Sequence, residues 1–192
     1  MRTVDLGCGG RKMAGAIGMD IVGVPGVDVV ADMSRGLPFK DDSLDALYAY
    51  HVLEHLDDFL GIMGEIWRVC KDGAKVYVKV PHAASPFMLW KDPTHKRGLS
   101  IATFAYFDDT YFDGIAFAYY SPARFRIEKA KLNFTLTDRQ VDPAISRARR
   151  ILNPIFDAVA NRGRGYQYAC ERFWGPIVGI EEAVLTLRAM KA

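Results

Sequence analysis

The sequence predicts an α/β protein built on a doubly wound, mostly parallel sheet. Three observations carry that expectation. Short β-rich runs recur through the first half, as RTVDLG, AIGMDIV, VDVVADM, LDALYAY and AKVYVKVP. Between the last two lies an apolar stripe, Phe59, Leu60, Met63, Ile66, Trp67 and Cys70, spaced mostly by three and four residues, which predicts a helix from Leu56 to Cys70. The resulting order of strand, turn, strand, helix, strand is that of a parallel α/β sheet.

Composition sets the outer bounds. The chain has 192 residues, half of them hydrophobic and a quarter charged, with a net charge of +2, so one soluble globular domain spanning 1–192 is expected. The densest basic run, Arg147, Arg149 and Arg150, reads as a solvated helix face, and no nucleic-acid partner is expected. There is no long apolar run and no charged-then-apolar leader, so neither a membrane span nor a secretory signal is expected. Cys8, Cys70 and Cys170 are odd in number and far apart, which fits reduced thiols in the cytoplasm.

The first run ends in VDLGCGG. A strand ending in Gly-x-Gly lets the backbone turn sharply and approach a ligand closely, because no Cβ intervenes. The next two runs end in Asp20 and Asp32. In an open α/β sheet ligands sit beyond the carboxyl ends of the strands, where the glycines and both acids would gather. A carboxylate after the second strand is suited to accept hydrogen bonds from two ribose hydroxyls. The dinucleotide pattern G-x-G-x-x-G fails because position 12 is Lys12, and the P-loop pattern is absent. A nucleoside ligand without phosphate is what remains.

The predicted helix stops at Lys71-Asp72-Gly73, a basic residue and a glycine. Beyond Pro81 the chain changes character: residues 82–125 hold eleven of the chain's 23 Phe, Trp and Tyr residues, Phe112 and Phe117 among them. This is expected to be an irregular excursion with one or two short helices, its aromatics mostly core. The chain becomes β-like again from Phe125 to Thr137, helical from Pro143 to Trp174, and ends on a strand from Ala183 to Met190.

With these motifs in this order, residues 3–81 resemble the class I S-adenosylmethionine-dependent methyltransferases, specifically the methyltransferase type 11 group. The residues carrying the likeness are VDLGCGG, the GMD after the second strand, ADM after the third, LPFKDDSLDALYAYHVLEHL, and EIWRVCKDGAKVYVKVP. The resemblance implies a Rossmann-like, seven-stranded sheet with an antiparallel C-terminal strand, an aromatic-rich lid at 82–125, and a helical insertion at 141–178 between the last two strands. It implies S-adenosylmethionine as cofactor. Asp5, Gly7, Cys8 and Gly9 would border its methionine part, Asp20 its ribose and Ile21 its adenine, with Asp32 and the Met33 backbone at the adenine edge. His51 would follow the fourth strand, beside the transferred methyl.

One departure is plain. Only RKMAGAIGM separates Gly10 from Asp20, too short for the family's first helix, so a loop is expected there with Arg11 or Lys12 supplying charge toward the cofactor. In the lid, KDPTHKRG offers His95 as a general base or an orienting donor positioned by Asp92, with His82 a weaker candidate. HVLEH also matches H-x-x-E-H, a zinc-peptidase pattern. LDALYAY before it reads as strand, however, so Glu54 and His55 are expected in the first turn of the helix instead. Some ubiquinone-pathway O-methyltransferases place Glu-x-x-Glu-His here around a divalent ion, but His51 replaces their first Glu, and no metal is expected. The lead expectation is methyl transfer to an O or N atom of a small molecule, such as a sugar, nucleotide-sugar or secondary metabolite. A second copy of the chain is one partner to consider. The alternatives are a catalytically silent cofactor-binding subunit that needs a partner, and a zinc hydrolase.

Overall fold

The computed structural model describes residues 1–111, 119–134 and 143–191. Phe112, Phe117, the end of the expected strand at 135–137 and the start of the helical insertion at 141–142 lie outside them, as do the side chains of Arg147, Arg149 and Arg150.

Seven strands form one sheet: β1 (Thr3–Leu6), β2 (Ile17–Asp20), β3 (Val29–Val30), β4 (Leu44–Tyr50), β5 (Cys70–Pro81), β6 (Phe125–Asn133) and β7 (Glu182–Ala189). Their order is β3-β2-β1-β4-β5-β7-β6. The first five run parallel, while β7 lies antiparallel between β5 and β6. This is the expected mostly parallel sheet with an antiparallel C-terminal strand. All four residues of β1 are buried, because neighbours flank both its edges. The direction of winding reverses between β1 and β4, and the carboxyl ends of strands at such a reversal open a crevice.

No helix joins β1 to β2, as the short spacer predicted. The connection is held by side-chain carboxylates instead. Asp5, 4 % exposed, accepts the Met13 N–H at 2.8 Å, and Asp28 accepts the Gly18 N–H at 2.7 Å. Lys12 Nζ pairs with Asp28 at 2.6 Å, and Arg11 beside it is exposed.

Helix α1 (Phe59–Val69) starts later than predicted, and the correction has a local cause. Leu53–His55 forms its own 3-10 turn, Leu56 is extended, and Asp58 caps α1 by accepting the Gly61 N–H at 2.8 Å. Glu54 and His55 are therefore not in the first turn of α1, and Glu54 is fully buried instead of facing the helix dipole. Phe59, Ile62, Met63, Ile66 and Val69 fill one face of α1. Each such side chain contributes about 1.5–3 kcal/mol on burial. Lys71-Asp72-Gly73 is not a separate turn either. Strand β5 begins at Cys70 and carries these residues past a register shift opposite Leu44 and Ala46, with Gly73 at φ 76°.

After β5 the chain makes α2 (Pro86–Trp90), capped by Ser85, and α3 (Ile101–Ala105), closed by a reciprocal Ser100–Thr103 cap. Phe104, Phe107 and Tyr111 are buried, whereas Phe87, Trp90, Tyr119 and Tyr120 are exposed. Between β6 and β7 come α4 (Pro143–Ala160), α5 (Arg164–Ala169), a π turn (Cys170–Trp174) and α6 (Gly175–Val178). Among the described residues no helix is long and apolar enough to cross a membrane.

Candidate functional site

The crevice at the strand reversal is an open cleft of about 620 Å³. Gly7, Asp20, Ile21, Asp32, Met33 and His51 line it, so six residues predicted from four separated motifs meet in one place. Asp5, Cys8 and Gly9 do not line it. Asp5 and Cys8 are buried beneath the loop that Gly7 and Gly9 shape, and burial raises the pKa of both groups.

Two constraints act on Gly7. Its φ is 63°, and a Cβ there would stand 2.4 Å from Val52 Cγ2. Gly9 also has a positive φ, 48°, but a Cβ there would meet nothing within 4 Å. Gly7 is thus required by packing within the protein, and Gly9 presents open backbone. Asp20 ties the loop down: Oδ2 accepts the Gly9 N–H at 2.9 Å and Oδ1 the Val22 N–H at 3.0 Å. Each oxygen keeps further acceptor capacity. Ile21 beside it is 62 % exposed, a bare apolar surface at the cleft.

Asp32 caps the 3-10 turn Met33–Arg35. Its Oδ1 accepts from the Ser34 hydroxyl at 2.6 Å and the Ser34 N–H at 2.9 Å, which lowers its pKa and keeps it ionised. Ser34 lines the cleft as well and was not singled out from sequence. The Asp-x-Ser spacing of a capped turn was the available signal.

His51 directly follows β4 with φ 51°, one of two described non-glycine residues with a positive φ. Its Nε2 lies 3.0 Å from Glu182 Oε1 and its Nδ1 3.6 Å from Glu54 Oε1. Burial opposes charge on the ring, but Glu182 and then Glu54 outweigh it and push the pKa up to about 9. His51 is therefore an imidazolium at neutral pH. Glu182, the first residue of β7, had no sequence signal: only the antiparallel insertion of β7 beside β5 brings it to this rim.

Asp92 and His95 belong to a stretch that docks on the HVLEHLD segment. The Lys96 N–H donates to Glu54 O at 2.8 Å, and the Arg97 guanidinium donates to Asp57 O. Asp92 is 4.0 Å from His95 Nε2 and accepts from Thr94 instead. His95 donates from Nδ1 to Leu89 O at 2.6 Å, and its side chain is 7 % exposed. His82 is buried away from the cleft, where its Nδ1 accepts the Ala84 N–H and its Nε2 meets Glu171 at 3.0 Å.

Seven strands in this order, with a glycine turn and two strand-end acids in the crevice, define a methyltransferase-type α/β fold. Residues 4–78 match the family model described as a methyltransferase domain. The chain is similar to a SAM-dependent methyltransferase from Archaeoglobus fulgidus, at 18 % identity and TM-score 0.58, over 97 % of this chain and 85 % of that one. It is similar also to a structure of the Trm112 methyltransferase activator in complex with its methyltransferase partner, from Haloferax volcanii, at 18 % identity and TM-score 0.56, over 99 % and 83 % of the two chains. The [4+2]-cyclase SpnF shares the fold at 18 % identity and TM-score 0.56, over 100 % of this chain and 75 % of that one. The comparison with curated proteins gives no match.

Proposed function

We propose that the chain binds S-adenosylmethionine in this cleft and transfers its methyl group to an oxygen or nitrogen of a small molecule, a sugar, nucleotide-sugar or secondary metabolite. The observation that carries this is the convergence of Gly7, Asp20, Asp32 and His51 from the ends of β1, β2, β3 and β4. Asp20 accepts from the ribose hydroxyls, Ile21 packs on the adenine, and Asp32 with the Met33 backbone meets its edge. The open backbone at Gly9 and the loop over Asp5 and Cys8 take the methionine part, with Arg11 as the cation available to its carboxylate.

Transfer is an in-line displacement. The acceptor's lone pair forms the new bond to the methyl carbon as the sulfur–carbon bond breaks and leaves its pair on sulfur. Holding the two reactants in line supplies much of the rate. His51 meets the acceptor as a charged donor, because a ring with a pKa of about 9 has no free lone pair at neutral pH. His95 and Asp92 lie behind that position, in the stretch that docks on the turn at 53–55, and support the acceptor side of the site. Reduced thiols at Cys8 and Cys70 suit a cytoplasmic setting.

Calorimetry with S-adenosylhomocysteine tests the binding step. Micromolar affinity that falls in Asp20→Ala supports the assignment, and no binding to the folded chain rejects it. Mass spectrometry of acceptor panels incubated with S-adenosylmethionine then separates an active enzyme from a silent binding subunit.

A further inference from the structure

We propose that Glu54, His55 and His95 bind a divalent transition-metal ion of the Zn(II) type at the acceptor end of the cleft. The carboxylate is the starting point. Glu54 is fully buried, and neither of its oxygens has a hydrogen-bond partner. The nearest ring nitrogens, His51 Nδ1 at 3.6 Å and His95 Nε2 at 3.9 Å, stand too far off to donate to it. The His51 imidazolium offsets part of the carboxylate's charge from 3.6 Å but leaves both oxygens without a hydrogen bond, and buried polar atoms are otherwise hydrogen-bonded or bound to a metal.

Around this carboxylate, one ligand atom from each of Glu54, His55 and His95 lies within 4.8 Å of the others. Ligands about 2.0–2.2 Å from a tetrahedral ion stand roughly 3.3–3.6 Å apart. The 3.9 Å gap between Glu54 and His95 is near that spacing, and the other separations, none above 4.8 Å, reach it when the side chains draw in around an ion.

The hydrogen bonds behind both rings set their tautomers. His95 Nδ1 faces the Leu89 carbonyl at 2.6 Å, which can only accept, so Nδ1 carries the proton and Nε2 keeps its lone pair. Thr94 Oγ1 gives its one proton to the Asp92 carboxylate, Oδ1 at 2.6 Å. Toward His55 Nδ1, 2.9 Å away, Thr94 Oγ1 must therefore accept, which leaves His55 Nε2 bare. Imidazole ligands held by a second-nitrogen hydrogen bond to a carbonyl or a carboxylate relay are the usual outer support of a metal site. Asp92 thus becomes a positioning residue for His55, acting through Thr94. His51 is no ligand, since its ring is taken by Glu182.

Two imidazoles and one carboxylate leave a coordination position free. His55 lines the cleft, so that position is reachable from it. The ion's role there rests on the methyl-transfer reading, although its binding does not. An acceptor hydroxyl bound to it would release its proton to solvent more readily. The oxygen's lone pair would then form the bond to the methyl carbon as the sulfur leaves with its pair.

Zn(II) is titrated into chelator-treated full-length chain against a chromophoric chelator, and Co(II) is added separately to record ligand-field bands. One ion per chain is expected, with tetrahedral or five-coordinate Co(II) bands. His55→Gln and His95→Gln should each weaken Zn(II) binding at least about 100-fold, since losing a ligand costs no less than losing its outer support. Circular dichroism should stay at wild-type values. Saturable Zn(II) binding that both variants retain would overturn the site, as would none at all in the wild-type chain. Glu54→Gln should weaken Zn(II) binding as well, and if that variant fails to fold, the wild-type Co(II) spectrum still decides. Metal binding without nucleoside binding rejects the methyl-transfer reading alone, and the converse rejects the metal site alone.

Discussion

Position 7 admits only glycine, because the backbone and the packing impose the same demand. Its φ of 63° disfavours a Cβ, and Val52 occupies the space that a Cβ would need. Gly7→Ala should cost about 1–3 kcal/mol, read as a lower urea midpoint, with part of the loss recovered when Val52→Ala is added. Asp20 makes a different prediction. Removing its carboxylate takes away charged acceptors worth about 1.5–3 kcal/mol each, so Asp20→Ala should weaken S-adenosylhomocysteine binding by about tenfold or more, measured by calorimetry. Gly7, Asp20 and Asp32 were legible in sequence because each stands at the end of a recognisable strand. Val52 and Glu182 were not, since their contributions depend on which strands become neighbours.

The elements follow their sequence signals in type and depart from them at the ends. The apolar stripe identified α1 correctly, but the expected helix began at Leu56, which the structure holds extended after the turn that buries Leu53 and Glu54. The aspartate at 58 was the better marker, as an N-cap in front of the stripe. Asp58→Ala should lower stability by about 1 kcal/mol, seen in equilibrium denaturation with an unchanged slope. The stretch Asp92–Arg97 was legible as a motif, but its docking on Asp57 and Glu54 was not, because it joins groups about 40 residues apart. Arg97→Ala removes that tie and a guanidinium lying 6.0 Å over the Phe59 ring. Faster amide exchange at Lys96, with exchange in β4 unchanged, is the expected outcome.

Across the whole molecule, β5 is the strand on which stability can be followed by pH. Cys70 opens it fully buried, and burial pushes its thiol up to about 12 from an ordinary 9.0. The unfolded thiol ionises first as pH rises. The contribution of the neutral buried thiol is therefore whole below about 9 and declines between there and about 12, by at most about 4 kcal/mol. Unfolding free energies at about pH 8 and about pH 10 should differ less in Cys70→Ala than in the wild-type chain, whatever the cost of the cavity itself. Iodoacetamide should label Cys70 only after unfolding.

The placement of β7 also bears on how the molecule comes to exist. The strand that delivers Glu182 to His51 is the last in sequence, and it enters between β5 and β6 instead of adding at an edge. Long-range pairings of this kind form late and slowly. A ribosome that has released β1 through β5 has made the entire rim proposed for the nucleoside, yet His51 still lacks one of the two carboxylates that charge it. During synthesis the chain should therefore become able to hold its nucleoside before its acceptor side is assembled, so that a ligand present at that stage would favour the half-built sheet while β7 finds its slot.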